Sequence, residues 1–197
     1  MRKLTTVLCV ALLAVAGATS ATTFALKVSG PGAVNDSTIK AGAKVSVDLY
    51  FSTKDTLKAF SSGYKIYSDD IKSITHVSDT AKGLTPNGDV RGWNGWQDKS
   101  MWDFGGVWPA LKNWDGELPD TVGFAGAVVK KKYAPHASTK VLSFEIIVPT
   151  AGTLVIDSTF YPPGGSWKVV MAPKVAGGKP QDQAPTWKGP YKITVVK

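Results

Sequence analysis

Val45-Ser46-Val47-Asp48-Leu49-Tyr50-Phe51-Ser52 alternates between two kinds of side chain along its whole length. Successive side chains of a strand point to opposite faces. Val45, Val47, Leu49 and Phe51 therefore share one face, and Ser46, Asp48, Tyr50 and Ser52 the other. Working outward, Phe24, Leu26 and Val28 repeat the pattern ahead of Gly30-Pro31-Gly32, a turn signal. Further strand candidates are residues 59–67, 71–77, 122–129, 141–148, 153–160, 166–170 and 191–196. The breaks carry turn chemistry: Ser68-Asp69-Asp70, Pro86-Asn87-Gly88, Pro149-Thr150-Ala151-Gly152 and Pro162-Pro163-Gly164-Gly165. About nine short strands with turns between them predict an all-β fold, an antiparallel β-sandwich of jelly-roll type. No helical period runs long enough to supply βαβ crossovers, which argues against a parallel α/β sheet.

Two stretches break the rhythm. Residues 83–120 read as a long loop segment rich in Trp, Gly, Asp and Asn, and residues 172–189 as a Pro/Gly/Lys-rich connection to the last strand. Long connections within a compact domain are often functional.

The chain opens with Met1-Arg2-Lys3, continues through an uncharged apolar run over residues 4–18, and reaches Ala16-Gly17-Ala18-Thr19-Ser20-Ala21. A basic start, a short apolar run and a small-residue site predict a secretory signal peptide over residues 1–21. The apolar run is short for a bilayer span, which takes roughly 20 residues. Residues 22–197 are then expected as a single β-sandwich domain, periplasmic or extracellular, with no membrane span after cleavage. Cys9 is the one cysteine of the chain and leaves with the signal, so the exported product is held by its core and not by disulfides.

Lysine and arginine number 23 against 15 acidic residues. Arg2 and Lys3 lie in the signal, which lowers the net charge from +8 to about +6. Arg91 is the one arginine that remains, and bidentate phosphate or base recognition uses arginine. Lys130-Lys131-Lys132 reads as a solvated run, so nucleic acid is not an expected partner.

From residue 39 to residue 77 the sequence resembles cohesin-like sandwich domains. The likeness begins at Ile39-Lys40-Ala41-Gly42, ahead of the Val45-x-Val47-x-Leu49 strand. It continues through Phe60-x-x-Gly63-Tyr64-x-Ile66-Tyr67-Ser68-Asp69-Asp70-Ile71. Val141-Leu142-Ser143-Phe144-Glu145-Ile146 and Ala151-Gly152-Thr153-Leu154-Val155-Ile156 look like the later strand pair of that family. The tail, Asp157-Ser158-x-Phe160-x-Pro162-Pro163-Gly164-Gly165-x-Trp167 and Pro185-x-Trp187-x-Gly189-Pro190-Tyr191, is similar to a group of secreted bacterial proteins. Cohesins bind dockerin modules, and related sandwiches of the carbohydrate-binding-module type bind polysaccharide. The resemblance therefore implies a non-catalytic binding domain for a polysaccharide or an extracellular protein.

Tryptophan is the densest chemical feature. Trp93, Trp96, Trp102, Trp108 and Trp114 fall in one segment, and only Trp167 and Trp187 of the seven lie elsewhere. Indole faces stack on the C–H surfaces of sugar rings while nearby Asp, Asn and Gln bond the hydroxyls. Asp98 and Asp103 are the expected polar partners, with Asn94, Gln97, Asn113 and Asp115 beside them. The same indoles could instead pin a long segment to the sandwich, and Trp167 and Trp187 are expected in packing. Tyr64 and Tyr67 are secondary candidates. Three residues apart on one strand, they should point to opposite faces.

A glycosidase would need two carboxyls about 5–9.5 Å apart. Asp89, Asp98, Asp103, Asp115 and Glu117 are the candidates, but Asp in such loops usually caps turns, so no catalytic residue is expected. No cofactor is expected. A calcium site at Asp69-Asp70 or Asp98/Asp103 is the alternative, without EF-hand spacing. His76 and His136 form no metal pattern and read as surface or turn residues. A structural or adhesive component that assembles through exposed strand edges is the competing function.

Overall fold

The computed structural model describes residues 22–77, 104–113, 115–127, 136–159 and 167–197. In chain order the strands are β1 (Thr22–Ser29), β2 (Ala33–Asn35), β3 (Thr38–Lys40), β4 (Lys44–Thr53), β5 (Leu57–Tyr67), β6 (Thr75–His76) and β7 (Phe104–Asn113). They continue with β8 (Asp120–Ala127), β9 (His136–Ile147), β10 (Gly152–Ser158), β11 (Lys168–Met171), β12 (Gln181–Gln183), β13 (Thr186–Trp187) and β14 (Tyr191–Val196). The described residues contain no helix.

The strands form two sheets. One has the order β13-β1-β4-β9-β6; the other runs β12-β11-β5-β10-β14-β3-β2, and β8 joins it along β5 with β7 outside β8. Pairing is antiparallel except for β1 with β13 and β14 with β3, where the chain returns in the same direction as its neighbour. β5 organises the second sheet. Along one side it pairs with β8, and along the other with β11 over its first half and β10 over its last residues.

The alternating strands behave as their pattern demands. Val45, Val47, Leu49 and Phe51 are fully buried, and Phe24, Leu26 and Val28 pack beside them from β1. Phe60, Tyr64 and Ile66 of β5, Leu154 and Ile156 of β10, Val169 of β11, and Ile193 and Val195 of β14 close the core from the facing sheet. Each such side chain contributes about 1.5–3 kcal/mol by leaving water. Seven aromatic rings join the layers. Phe24 lies 5.1 Å from Phe51, 5.6 Å from Phe60 and 5.5 Å from Trp167, centroid to centroid. Trp167 meets Tyr64 at 5.0 Å and Trp187 at 5.1 Å, and Trp187 meets Tyr191 at 5.2 Å. The indole N–H of Trp167 donates to the Thr159 carbonyl, and that of Trp187 to Asp157 Oδ1, both at 2.9 Å. Both indoles thus pack, as their setting predicted, with their one polar atom satisfied.

The fold departs from the sequence reading in three places. The segment 83–120 is not loop throughout: it holds β7. Gly105-Gly106 and Pro109 look like turn punctuation, but among the described residues β7 pairs only with β8, and edge strands and bulges are where a sheet tolerates proline. The 172–189 connection holds the short strands β12 and β13. The expected strand over 71–77 shrinks to β6, with Ser73 bridging Glu117 outside it.

Candidate functional site

A sandwich presents two outward faces, and here they differ in chemistry. On the first sheet, cross-strand pairs set Lys27 opposite Asp48, Ser29 opposite Ser46, and Asp48 opposite Ser143. Asp48 is 2% exposed although it belongs to the polar set of β4. Its Oδ1 accepts hydrogen bonds from Ser143 (2.6 Å), Ser46 (2.9 Å) and Lys140 (3.4 Å), and its Oδ2 from Ser29 (2.7 Å). Burial alone would raise its pKa; the hydroxyl donors of Ser143, Ser29 and Ser46, with the Lys140 charge, outweigh burial and hold it below 3.8. Around this knot, Lys44 pairs with Glu145 at 3.0 Å and Lys27 sits 4.8 Å over the Tyr50 ring. Around Asp48 the described polar groups of this face answer one another.

The other face is built on β5. Phe60, Ser62, Tyr64 and Ile66 point inward and are buried. Ala59, Ser61, Gly63, Lys65 and Tyr67 therefore point outward. Register places Ala127, Ala125, Gly123 and Thr121 of β8 beside Ala59, Ser61, Gly63 and Lys65. Gly106 of β7 follows beside Ala125, and Lys168 of β11 lies beside Ser61. The centre of this face is thus paved with alanine, serine and glycine. Lys65, Tyr67 and Lys168 border it, with the Lys65 ammonium 5.1 Å from the Tyr67 ring centroid. At the outer edge, β7 steps from Val107 opposite Phe124 to Lys112 opposite Val122, so the stretch from Trp108 to Leu111 bulges outside the ladder. Bulges of this kind re-aim the chain at sheet edges.

A polar clasp joins the two sheets near one end. His76 Nε2 and Asp120 Oδ2 are 2.6 Å apart, with side chains 4% and 0% exposed. His76 belongs to β6 in the first sheet and Asp120 opens β8 in the second. The expectation that His76 is a surface residue is therefore wrong. The chain around it is strapped to both sheets: Ile74 donates to the Gly116 carbonyl, Leu118 to that of Lys72, and Val77 to that of Glu145. Gly116 holds φ +90°, and a Cβ there would lie 2.5 Å from the Ile74 carbonyl oxygen.

The predicted binding residues divide as follows. Trp93, Trp96, Trp102, Trp114, Asp98 and Asp103 lie outside the described residues. Trp108 falls in β7 at the bulge. Tyr64 is buried and Tyr67 half-buried on the opposite face, as their spacing required. Asp115 acts as a turn cap, its Oδ1 accepting the Glu117 N–H at 3.0 Å, and both residues are exposed. At Ser68-Asp69-Asp70 the serine builds the turn: its Oγ accepts the N–H of Asp70 and Ile71 and donates to the Thr153 carbonyl. Among the described residues no three His, Cys, Asp or Glu side chains are grouped to hold a metal. No helix of the described residues is long and apolar enough to cross a membrane.

No protein-family model matches the sequence, and no curated protein matches it. Solved structures do match. The chain superposes on a type II cohesin domain from the cellulosome of Acetivibrio cellulolyticus with a TM-score of 0.54 at 12% identity, over 89% of this chain and 95% of that one. The second type II cohesin module of the adaptor ScaA scaffoldin from the same organism gives 0.53 at 9% identity, over 88% and 96%. Against the type II cohesin dyad of that scaffoldin the score is 0.51 at 12% identity, over 89% of this chain and 48% of the dyad. Two alternating sheets closed on one aromatic core, in a chain of this length, make a cohesin-like β-sandwich.

Proposed function

We propose that this chain is an exported, non-catalytic binding module that takes a protein partner on the outward face of β7, β8 and β5. The observation that carries the reading is the small-residue centre of that face, Ala59, Ser61 and Gly63 beside Gly123. Small side chains let a partner's backbone approach closely, while Lys65, Tyr67 and Lys168 at the border supply contacts that fix orientation. On the opposite face the polar groups around Asp48 are already committed to one another. A fold shared with cohesin modules of an adaptor scaffoldin suits a binding role. Export to the periplasm or the exterior is supported by the signal pattern of residues 1–21.

A photo-crosslinking side chain placed at Thr121 tests the face against one placed at Ser52 on the other sheet. Crosslinking in the exported fraction of the source cells should give one discrete protein adduct from Thr121 and none from Ser52. Equal labelling from both positions, or none from either, overturns the reading.

The second reading is a polysaccharide ligand on Trp93, Trp96, Trp102, Trp108 and Trp114, with Asp98 and Asp103 as polar partners. Five tryptophans between residues 93 and 114, with Trp108 in β7, favour it. A glycan array with Trp93→Ala and Trp96→Ala controls decides this reading; silence on every glycan at high protein concentration removes it. Adducts between copies of this chain in the crosslinking experiment would instead support assembly through strand edges.

A further inference from the structure

We propose that a lysine-rimmed groove at one end of the sandwich binds an acidic, extended peptide segment of a partner protein. The site is separate from the face of β5 and β8 and stands independently of that reading. The turn between β4 and β5 forms one wall and the connection from β11 to β12 the other, enclosing about 560 Å³. That volume suits a bound segment, since ligand clefts run roughly 300–1,000 Å³. The walls are tied together: Ala172 donates its N–H to the Thr56 carbonyl at 2.7 Å. Each wall is also fixed internally. Thr53 Oγ1 accepts the Asp55 N–H at 3.0 Å, and Gly178 donates to the Val175 carbonyl at 3.1 Å. A groove held open in this way needs little ordering when a ligand arrives.

Its chemistry selects the occupant. Lys54, Lys174 and Lys179 line the groove, with Asp55 the one acid among the lining residues. Among the described residues none of these three ammonium groups has a carboxylate within ion-pair distance, whereas Lys44, Lys140 and Lys168 each have one. Met171, Pro173 and Val175 supply an apolar strip between the charges. Val175 is 70% exposed and so is available to a ligand in the groove. Among the described residues no aromatic ring lines the groove, so they offer a sugar ring no stacking platform there. Lysine is a mobile point charge without the bidentate fork that fixes a phosphate, and it tolerates carboxylates at variable positions. An extended peptide that alternates acidic and aliphatic side chains supplies both complements, one to the rim and one to the strip.

The test is fluorescence anisotropy with a labelled peptide of alternating Glu and Leu, against its Gln/Leu counterpart. The Glu peptide is expected to bind, and more weakly as salt rises. Lys54→Gln/Lys174→Gln/Lys179→Gln should weaken it by about tenfold or more. Lys40→Gln/Lys72→Gln/Lys192→Gln removes the same charge from exposed positions elsewhere and should change affinity by no more than about twofold. Val175→Ser should weaken binding by a few fold, and thermal melting confirms that each variant is folded. Equal losses in the two triple variants would reduce the effect to net charge and overturn the site. So would equal binding of the Gln peptide, or no binding of the Glu peptide. Polygalacturonate binding in place of the peptide would show an anionic glycan site and overturn the peptide assignment.

Discussion

The outward faces of the two sheets share a fold and an origin in alternating strands, yet they solve the problem of facing water differently. Around Asp48, four donors converge on one carboxylate, and Lys44 with Glu145 and Lys27 with Tyr50 extend the set. Around Ser61, the side chains are small: the Ser61 hydroxyl accepts the Lys168 N–H at 3.2 Å, and Lys65 with Tyr67 and Lys168 with Asp182 engage at the margin. A face whose polar groups are mutually satisfied contributes to stability and offers a partner little. A face of small residues, with Gly63 and Gly123 buried at its centre and Ala59, Ser61 and Ala127 half-buried, has no such hub of mutually satisfied groups. Stability and recognition should therefore separate between the two sheets.

The largest effect is expected at the knot. Asp48→Ala leaves three hydroxyls and the Lys140 ammonium without their acceptor, and hydrogen bonds to a charged group are worth about 1.5–3 kcal/mol each at the margin. With relaxation and water entry, a loss of about 2–3 kcal/mol in urea unfolding is expected. Asp48→Asn keeps the shape and one acceptor and should lose about half as much. A loss below about 0.5 kcal/mol for the alanine variant would erase the contrast between the faces.

The same carboxylate sets the next effect, through pH. Its folded pKa lies below 3.8, so the group binds protons more weakly folded than unfolded. The stability it contributes is complete above the unfolded value and is lost as pH falls through the folded one. Wild type and Asp48→Asn should differ most near neutral pH and converge as pH drops below about 4. Stability curves against pH that stay parallel well below pH 4, with no convergence, would remove Asp48 from the acid response.

These contrasts show what could be read in advance. The strand β4 was legible because its alternation is a local property of consecutive residues. The strand β7 was not, since Gly105, Gly106 and Pro109 signal a turn unless one knows that the strand lies at an edge. The burial of Asp48 was hidden for a different reason: its partners Ser29 and Ser143 lie 19 and 95 residues away, and only register brings them together. Likewise His76 meets Asp120 across 44 residues and between two sheets. Among Trp93 to Trp114 the sequence marks a cluster but not which rings face outward, because indole serves packing and binding through the same surface.

A smaller effect on stability, with a large one on binding, is expected on the open face. Ala59→Arg puts a long cation where Ala127 and Val170 are the cross-strand neighbours. Stability should change by no more than about 1 kcal/mol, because the side chain can extend into water. The Thr121 crosslink to a partner should disappear. Retention of that adduct at wild-type yield would move the partner off this face, whatever the fate of the knot.

The smallest effect separates the knot from ordinary surface charge. Lys44 and Glu145 are 41% and 22% exposed in their ion pair, so solvent screens them and their coupling should be about 0–1 kcal/mol. A double-mutant cycle with Lys44→Ala and Glu145→Ala measures it. The coupling should fall further in high salt. If this pair matched the Asp48 effect, generic charge density would explain the first face. If it stays several-fold smaller, the stability of that face resides in one buried carboxylate and its hydroxyl donors. The open face then differs by lacking such a hub and not by lacking charge.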